Sequence, residues 1–399
     1  MNKKSQSITV LAIFSIGFIA MIIGTITPAI QAIGNAFPNV PFTTLMLVST
    51  LPSLVSIPFS VLAGSIVGKA MKYRTLTMLA LLILAVAGIA PYWLTDWTMV
   101  LIARAVFGIG MGLISPIPAG LIFNLVAPEK QANIMGLNGV VSNIGGMVLQ
   151  FLGGVMATIG WNLSFLVHSF AFLSLVIVAI FLPEPEKRQI PADAVGEAPK
   201  SAGLPAVVWV WSAAYAIMTV MMYPSLTNIS TVFQEMGLNP AMAATALMLM
   251  TVGGMVMGAV FGKVFEAIAF KCIPSGFVLL VVSQFLMATG QNFMMFAVAE
   301  VLLGIGMGLA GTAIMMLIGS SVTPDKSPLA MSFLMACMSI GGFLSAFIYA
   351  GVMGTMGITS MRFQYWVGTA GFAVYAVVTF FVYMRKSAAP PVSGPSVKA

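Results

Sequence analysis

Charge is scarce in this chain. Of 399 residues, only 7% are Asp, Glu, Lys or Arg, while 60% are hydrophobic. Soluble domains carry about 25% charged residues, so a water-facing surface is excluded for most of the molecule, and lipid must be its solvent. There is one histidine, and there are two cysteines, Cys272 and Cys337, in or beside apolar segments. A histidine-rich metal site and a disulfide framework are thereby excluded, and the cysteine spacing offers no metal ligands. The sequence holds no phosphate-cradling Gly-Lys-Ser/Thr loop, no zinc-binding helix motif and no Ser-His-Asp pattern. The chain is therefore read as a non-enzyme with no cofactor. ATP is not its energy source; an ion gradient or exchange is.

What is present is a series of long apolar runs. Lipid offers no hydrogen bonds, so spanning elements must be helices or closed barrels. Runs of about 20 residues or longer match helices, whereas barrel strands would be about 10 residues and alternating. Twelve helices are expected, at about 8–34, 42–67, 75–94, 98–126, 132–157, 162–183, 206–233, 240–265, 272–290, 293–320, 329–354 and 363–384. The apolar run after Met1-Asn2-Lys3-Lys4 is too long for a signal-peptide core and reads as the first retained helix. The expected organisation is a six-helix bundle over 1–183, a cytoplasmic linker over 184–204, a second six-helix bundle over 205–386 and a disordered tail over 387–399. Pro, Ala and Ser dominate the linker and tail, which bury nothing.

The net charge of +7 forms no stripe that would suit nucleic acid. It follows the positive-inside rule instead. With the amino terminus in the cytoplasm, 15 of the 17 basic residues fall in cytoplasmic segments, leaving Arg362 outside and Arg104 within a helix. Both termini and the linker are then cytoplasmic.

The halves repeat. At a shift of 196 residues, Gly108-Ile109-Gly110-Met111-Gly112 lands on Gly304-Ile305-Gly306-Met307-Gly308, and Pro128-Glu129-Lys130 on Pro324-Asp325-Lys326. Asn143-Ile144-Gly145-Gly146 lands on Ser339-Ile340-Gly341-Gly342. Two six-helix halves of like orientation are the arrangement found in major facilitator transporters.

The segment Gly64-Ser65-Ile66-Val67-Gly68-Lys69-Ala70-Met71-Lys72-Tyr73-Arg74 is similar to that superfamily's signature loop between helices 2 and 3, with Gly68 in place of its aspartate. Arg104 through Gly112 resembles the family's arginine-and-glycine motif in helix 4. Gly136, Gly145, Gly153 and Gly154 match the exporter-associated glycine motif of helix 5, except that Leu149-Gln150 replaces its Gly-Pro pair. Over about 8–384 the chain thus resembles the major facilitator superfamily, with departures from its signature motifs. The resemblance implies a multi-pass secondary transporter of a bacterial cytoplasmic (inner) membrane, working by alternating access as a monomer. It also implies that the signature loop, here Gly64, Gly68, Lys69, Lys72 and Arg74, governs a conformational latch. That latch lacks its carboxylate here. The helix 5 glycines either serve an antiporter or simply let helices 5 and 8 approach closely.

A charge inside a membrane costs at least ~2.5–3.5 kcal/mol and marks function by default. Arg104 in helix 4 and Glu300 in helix 10 are two such charges, 196 residues apart. Each stands roughly 10 Å from the outer end of its helix. If helices 1, 4, 7 and 10 line a central cavity, as in the family, these residues face each other in its outer half. One reading makes Glu300 a proton-binding group whose attraction to Arg104 gates the outer side. The other makes them a permanent ion pair. Tyr215, Met218, Met222 and Asn228 in helix 7, with Asn143 and Gln150 in helix 5, are candidates to contact substrate or to bond between helices. His168 in helix 6 is read as a structural hydrogen-bonding residue near the outer interface. Pro28, Pro52, Pro58, Pro116 and Pro118 interrupt helices 1, 2 and 4, as hinges or as ordinary kinks.

The functional expectation is a proton-coupled carrier of a small amphipathic or hydrophobic organic compound, with export favoured over import. The first alternative is an organic-anion importer or exchanger in which Arg104 clamps a carboxylate. An alternative of another class is a non-transporting membrane receptor or lipid-handling protein. The partners are then the substrate, protons and the bilayer.

Overall fold

In the computed structural model, residues 3–185, 203–237 and 241–384 are described. Most of the expected linker, and the tail over 387–399, lie outside the described residues. So do Lys187, Arg188, Lys200, Arg385, Lys386 and Lys398, which enter the count of cytoplasmic charges.

Every long element is a helix, because only a helix satisfies its own backbone in lipid. Eleven segments among the described residues are long and apolar enough to cross a membrane. One of them, Thr245–Thr289, runs for 45 residues, about twice the length of one crossing. It divides at the short turn Ala269–Lys271, where Ala269 has φ 49. Twelve spans result: α1 (Ser7–Ala29), α2 (Leu47–Ile66), α3 (Tyr73–Tyr92), α4 (Trp97–Leu125), α5 (Pro128–Ile159), α6 (Trp161–Phe181), α7 (Ala206–Thr227), α8 (Ala241–Ile268), α9 (Cys272–Thr289), α10 (Phe293–Ser320), α11 (Ser327–Met356) and α12 (Arg362–Tyr383).

Starts and kinks have identifiable causes. Asp96 accepts a hydrogen bond from the Met99 N–H (2.9 Å) at the start of α4, and Asn292 accepts one from the Met295 N–H (3.0 Å) at the start of α10. These two caps are themselves 196 residues apart. Helix α1 is α-helical to Ile19 and tightens to 3-10 geometry over Ile22–Ala29, which contains Pro28. Helix α4 is interrupted beside Pro116, and Pro52 and Pro58 lie inside α2. A proline cannot donate to the carbonyl four residues before it, so each internal proline leaves an acceptor to be satisfied from elsewhere. Pro224 in α7 frees the Val220 carbonyl, and Ser345 Oγ of α11 donates to it at 2.9 Å.

By their contacts the described residues form two compact units, one from within 1–219 and 318–344, the other from within 220–317 and 345–384. Within the first unit, α4 lies so close to α2 that a Cβ on Gly108 would strike the Pro52 backbone. Within the second, a Cβ on Gly304 of α10 would strike the Met250 backbone of α8. Gly110 rests on Leu84 and the Ala80 carbonyl, and Gly306 on Leu280 and the Gly276 carbonyl. The partners of Gly110 and Gly306 are themselves 196 residues apart, so the repeat read from sequence is a repeat of packing. The helix 5 glycines Gly145 and Gly153 press against the Phe18 and Thr25 carbonyls of α1. Their close partner within this unit is α1, where the sequence reading had named helix 8.

Candidate functional site

The buried charge of the first unit is enclosed by its own helices. Arg104 is fully buried. Its Nε donates to the Val48 carbonyl at 2.8 Å, the acceptor that Pro52 leaves unpaired in α2. Its Nη1 lies 3.4 Å from His168 Nε2, and its guanidinium carbon lies 4.3 Å from the centre of the Phe107 ring. Arginine can only donate, so His168 Nε2 accepts. Nδ1 then carries the ring proton and donates to the Phe165 carbonyl at 2.9 Å. His168 is itself fully buried, packed against Gly88 and edge-on to Phe107 at 5.0 Å. Of the nitrogens of Arg104, Nη2 has no partner among the described residues. Sequence reading kept His168 in an outer support role; the fold makes it the arginine's neighbour.

The buried charge of the second unit has no such enclosure. Glu300 is fully buried, and both of its carboxyl oxygens lack a hydrogen-bond partner among the described residues. The preceding residue, Ala299, accepts a hydrogen bond from Ser283 Oγ of α9 at 2.8 Å. Next to Ser283, the buried Gln284 donates through Nε2 to Ser225 Oγ of α7 (2.8 Å), and its Oε1 has no partner. Gln284 packs against Gly368 of α12, one turn after Tyr365. Tyr365 is fully buried, its hydroxyl has no partner, and it lies within electrostatic reach of Glu300. None of Gln284, Ser225 and Tyr365 was singled out from sequence. Buried polar residues in apolar runs were the signal available.

The other predicted residues differ in exposure. Tyr215 and Met218 are buried in packing, Met222 and Asn228 are partly exposed, Asn143 is half-buried and Gln150 is exposed. Asn228 Nδ2 donates to Gln364 Oε1 of α12 at 2.6 Å, a bond between helices.

At the signature loop, Gly68 adopts φ 75 with the Tyr73 ring against the place a Cβ would take. An aspartate there would be strained and crowded, which accounts for glycine at this position. The carboxylate at this end of the molecule comes from Glu184, just beyond α6. Its two oxygens accept from the Tyr73 N–H (2.7 Å) and the Arg74 N–H (3.0 Å), capping α3. Arg74 also donates to the Ala179 carbonyl. Lys69 and Lys72 are exposed. Nearby, Asn124 Nδ2 at the end of α4 faces the Pro324 carbonyl (2.8 Å), the Gly120 carbonyl (2.8 Å) and Tyr73 Oη (3.1 Å). Gly64 packs on Pro328, Leu329 and Ser332 of α11. Asn124 and Glu184 carried no sequence motif.

Twelve apolar spans, a repeat that recurs in packing and a buried charge in each unit define a multi-pass helical transport protein. The family model of the Major Facilitator Superfamily matches residues 9–273. The chain belongs to that superfamily. A search of curated proteins gives no match. Among solved structures, the human organic anion transporter TETRAN is similar with a TM-score of 0.77 at 13% identity, over 94% of this chain and 99% of that one. The proton:xylose symporter XylE gives 0.74 at 12% identity, covering 96% of each chain. The transporter FucP in its outward conformation gives 0.72 at 14% identity, over 94% of this chain and 99% of that one. At these identities the likeness is one of fold.

Proposed function

We propose that the chain is a proton-coupled secondary transporter of a small organic compound, working by alternating access, with Glu300 as the proton site and export the favoured direction. The observation that carries this reading is Glu300 itself, buried with both carboxyl oxygens unpartnered among the described residues. A buried charge without a hydrogen bond is expensive, so the carboxyl is held here as the neutral acid. A second conformation that offers it water or a donor releases the proton. Intramembrane carboxylates of transporters form proton relays on this principle. Placement in a bacterial inner membrane with both termini cytoplasmic, action as a monomer, and division into two six-helix functional halves belong to the same proposal.

The test is proton movement in liposomes holding the wild type or Glu300→Gln, with a panel of lipophilic cations and small carboxylates. A compound that drives proton flux in the wild type and not in the variant supports the reading and names the substrate class. Equal proton-coupled transport by both proteins overturns it.

The unpartnered Nη2 of Arg104 favours a second reading, transport of an organic anion clamped by that arginine. The organic anion transporter among the structural relatives points the same way. Arg104→Lys distinguishes the two: loss of carboxylate binding supports the clamp, and retained binding opposes it.

A further inference from the structure

The second unit holds a fully buried acid and a fully buried hydroxyl, Glu300 on α10 and Tyr365 on α12, and neither has a hydrogen-bond partner among the described residues. Such orphans are rare, because buried polar groups are almost always paired. The two helices that carry them both pack against α9, at its adjacent residues Ser283 and Gln284. Ser283 of α9 bonds to Ala299, and its neighbour Gln284 packs on Gly368 of α12. The other charged groups within electrostatic reach of Tyr365 are Arg362 and Glu235. The polar side chains that α9 and α7 bring to this level, Ser283, Gln284 and Ser225, are uncharged. A tyrosine hydroxyl keeps its proton in the ordinary pH range and can donate it in a hydrogen bond. A carboxyl that has lost its proton requires such a donor.

The geometry points to Tyr365 as the positioning residue for the proton step: its hydroxyl donates to Glu300 once that group is ionised, and it stands free while Glu300 is protonated, as here. This rests on the reading of Glu300 as the proton site. The proton leaves Glu300 for water or substrate; Tyr365 supplies a hydrogen bond and gives up no proton.

Infrared titration of the full-length protein in nanodiscs tests this without any substrate. The carboxylic-acid band that Glu300→Gln removes belongs to Glu300, and its loss with rising pH reports ionisation. In Tyr365→Phe, which keeps the ring and loses only the hydroxyl, Glu300 should stay protonated down to about tenfold lower proton concentration, since the ionised form has lost its donor. Tyr349→Phe removes another buried, unpartnered hydroxyl of the same unit and should leave the titration unchanged. A wild-type titration midpoint in Tyr365→Phe overturns the role of Tyr365 and leaves Glu300 as the proton site. An equal shift in both tyrosine variants also overturns it, because the effect is then not specific. If Glu300→Gln removes no titrating band, the proton-site reading and this inference fall together.

Discussion

The two halves of the chain build the same frame and treat a buried charge in opposite ways. Gly108 and Gly304 bring α4 and α10 against their neighbours in one shared geometry. Arg104 and Glu300 then stand at equivalent positions. The arginine has a carbonyl, an imidazole and an aromatic face. The acid has no hydrogen bond among the described residues. A group satisfied in one conformation has little reason to change with the cycle, whereas an unsatisfied one gains by changing. The frame is therefore shared and the partnering differs: Arg104 is the anchored charge, and in the proposed function Glu300 is the mobile one.

Substitutions at paired positions test each part of that contrast. The largest effect is expected where the halves agree. Gly108→Leu and Gly304→Leu both drive a side chain into a neighbouring backbone, and each should cost about 3 kcal/mol or more. Little folded protein should elute as a monodisperse peak in detergent. If one is tolerated and the other is not, the frames are not equivalent. Next comes the pair at which the halves differ. Arg104→Met leaves the Val48 carbonyl and His168 Nε2 unpaired and should cost about 2–5 kcal/mol, seen as a clear fall in thermal midpoint. Glu300→Gln removes no hydrogen bond and should stay within about 1 kcal/mol of the wild type while losing proton flux. Equal destabilisation by the two would erase the distinction between anchored and mobile charge. Asn124→Ala deprives the Pro324 carbonyl of its donor and should cost about 1–3 kcal/mol, with faster alkylation of a cysteine placed at Ser327. The smallest effect is expected for Ser345→Ala, which leaves the Val220 carbonyl freed by Pro224 and should lower stability by about 1 kcal/mol.

Much of the frame is legible in the sequence. Hydropathy marks the spans because lipid permits only helices, and the glycine motifs expose the repeat. Boundaries are less so: the predicted 206–233 helix ends at Thr227 and resumes as the short helix Ile229–Glu235, since Pro224 weakens the ladder there. The site is legible only in part. Arg104 and Glu300 stand out because charges in apolar runs are costly. Their surroundings do not, because His168 meets Arg104 and Tyr365 comes within electrostatic reach of Glu300 through tertiary packing, and no local pattern encodes that. The loop shows the opposite failure. Gly68 reads as a lost carboxylate, yet the backbone turn requires glycine, and Glu184 brings a carboxylate to α3 from a segment no motif connects to it.

The bond between Arg104 and the Val48 carbonyl has a consequence for how this protein tolerates change. The acceptor exists because Pro52 gives up its helical bond, and the arginine is accommodated because that acceptor exists. Restoring an ordinary residue at position 52 would hand the carbonyl back to its own helix and leave the guanidinium competing for it. Removing the arginine would leave the proline's kink uncompensated. Lineages of this protein should therefore keep or lose proline and arginine jointly, and the double replacement should be milder than the sum of its parts.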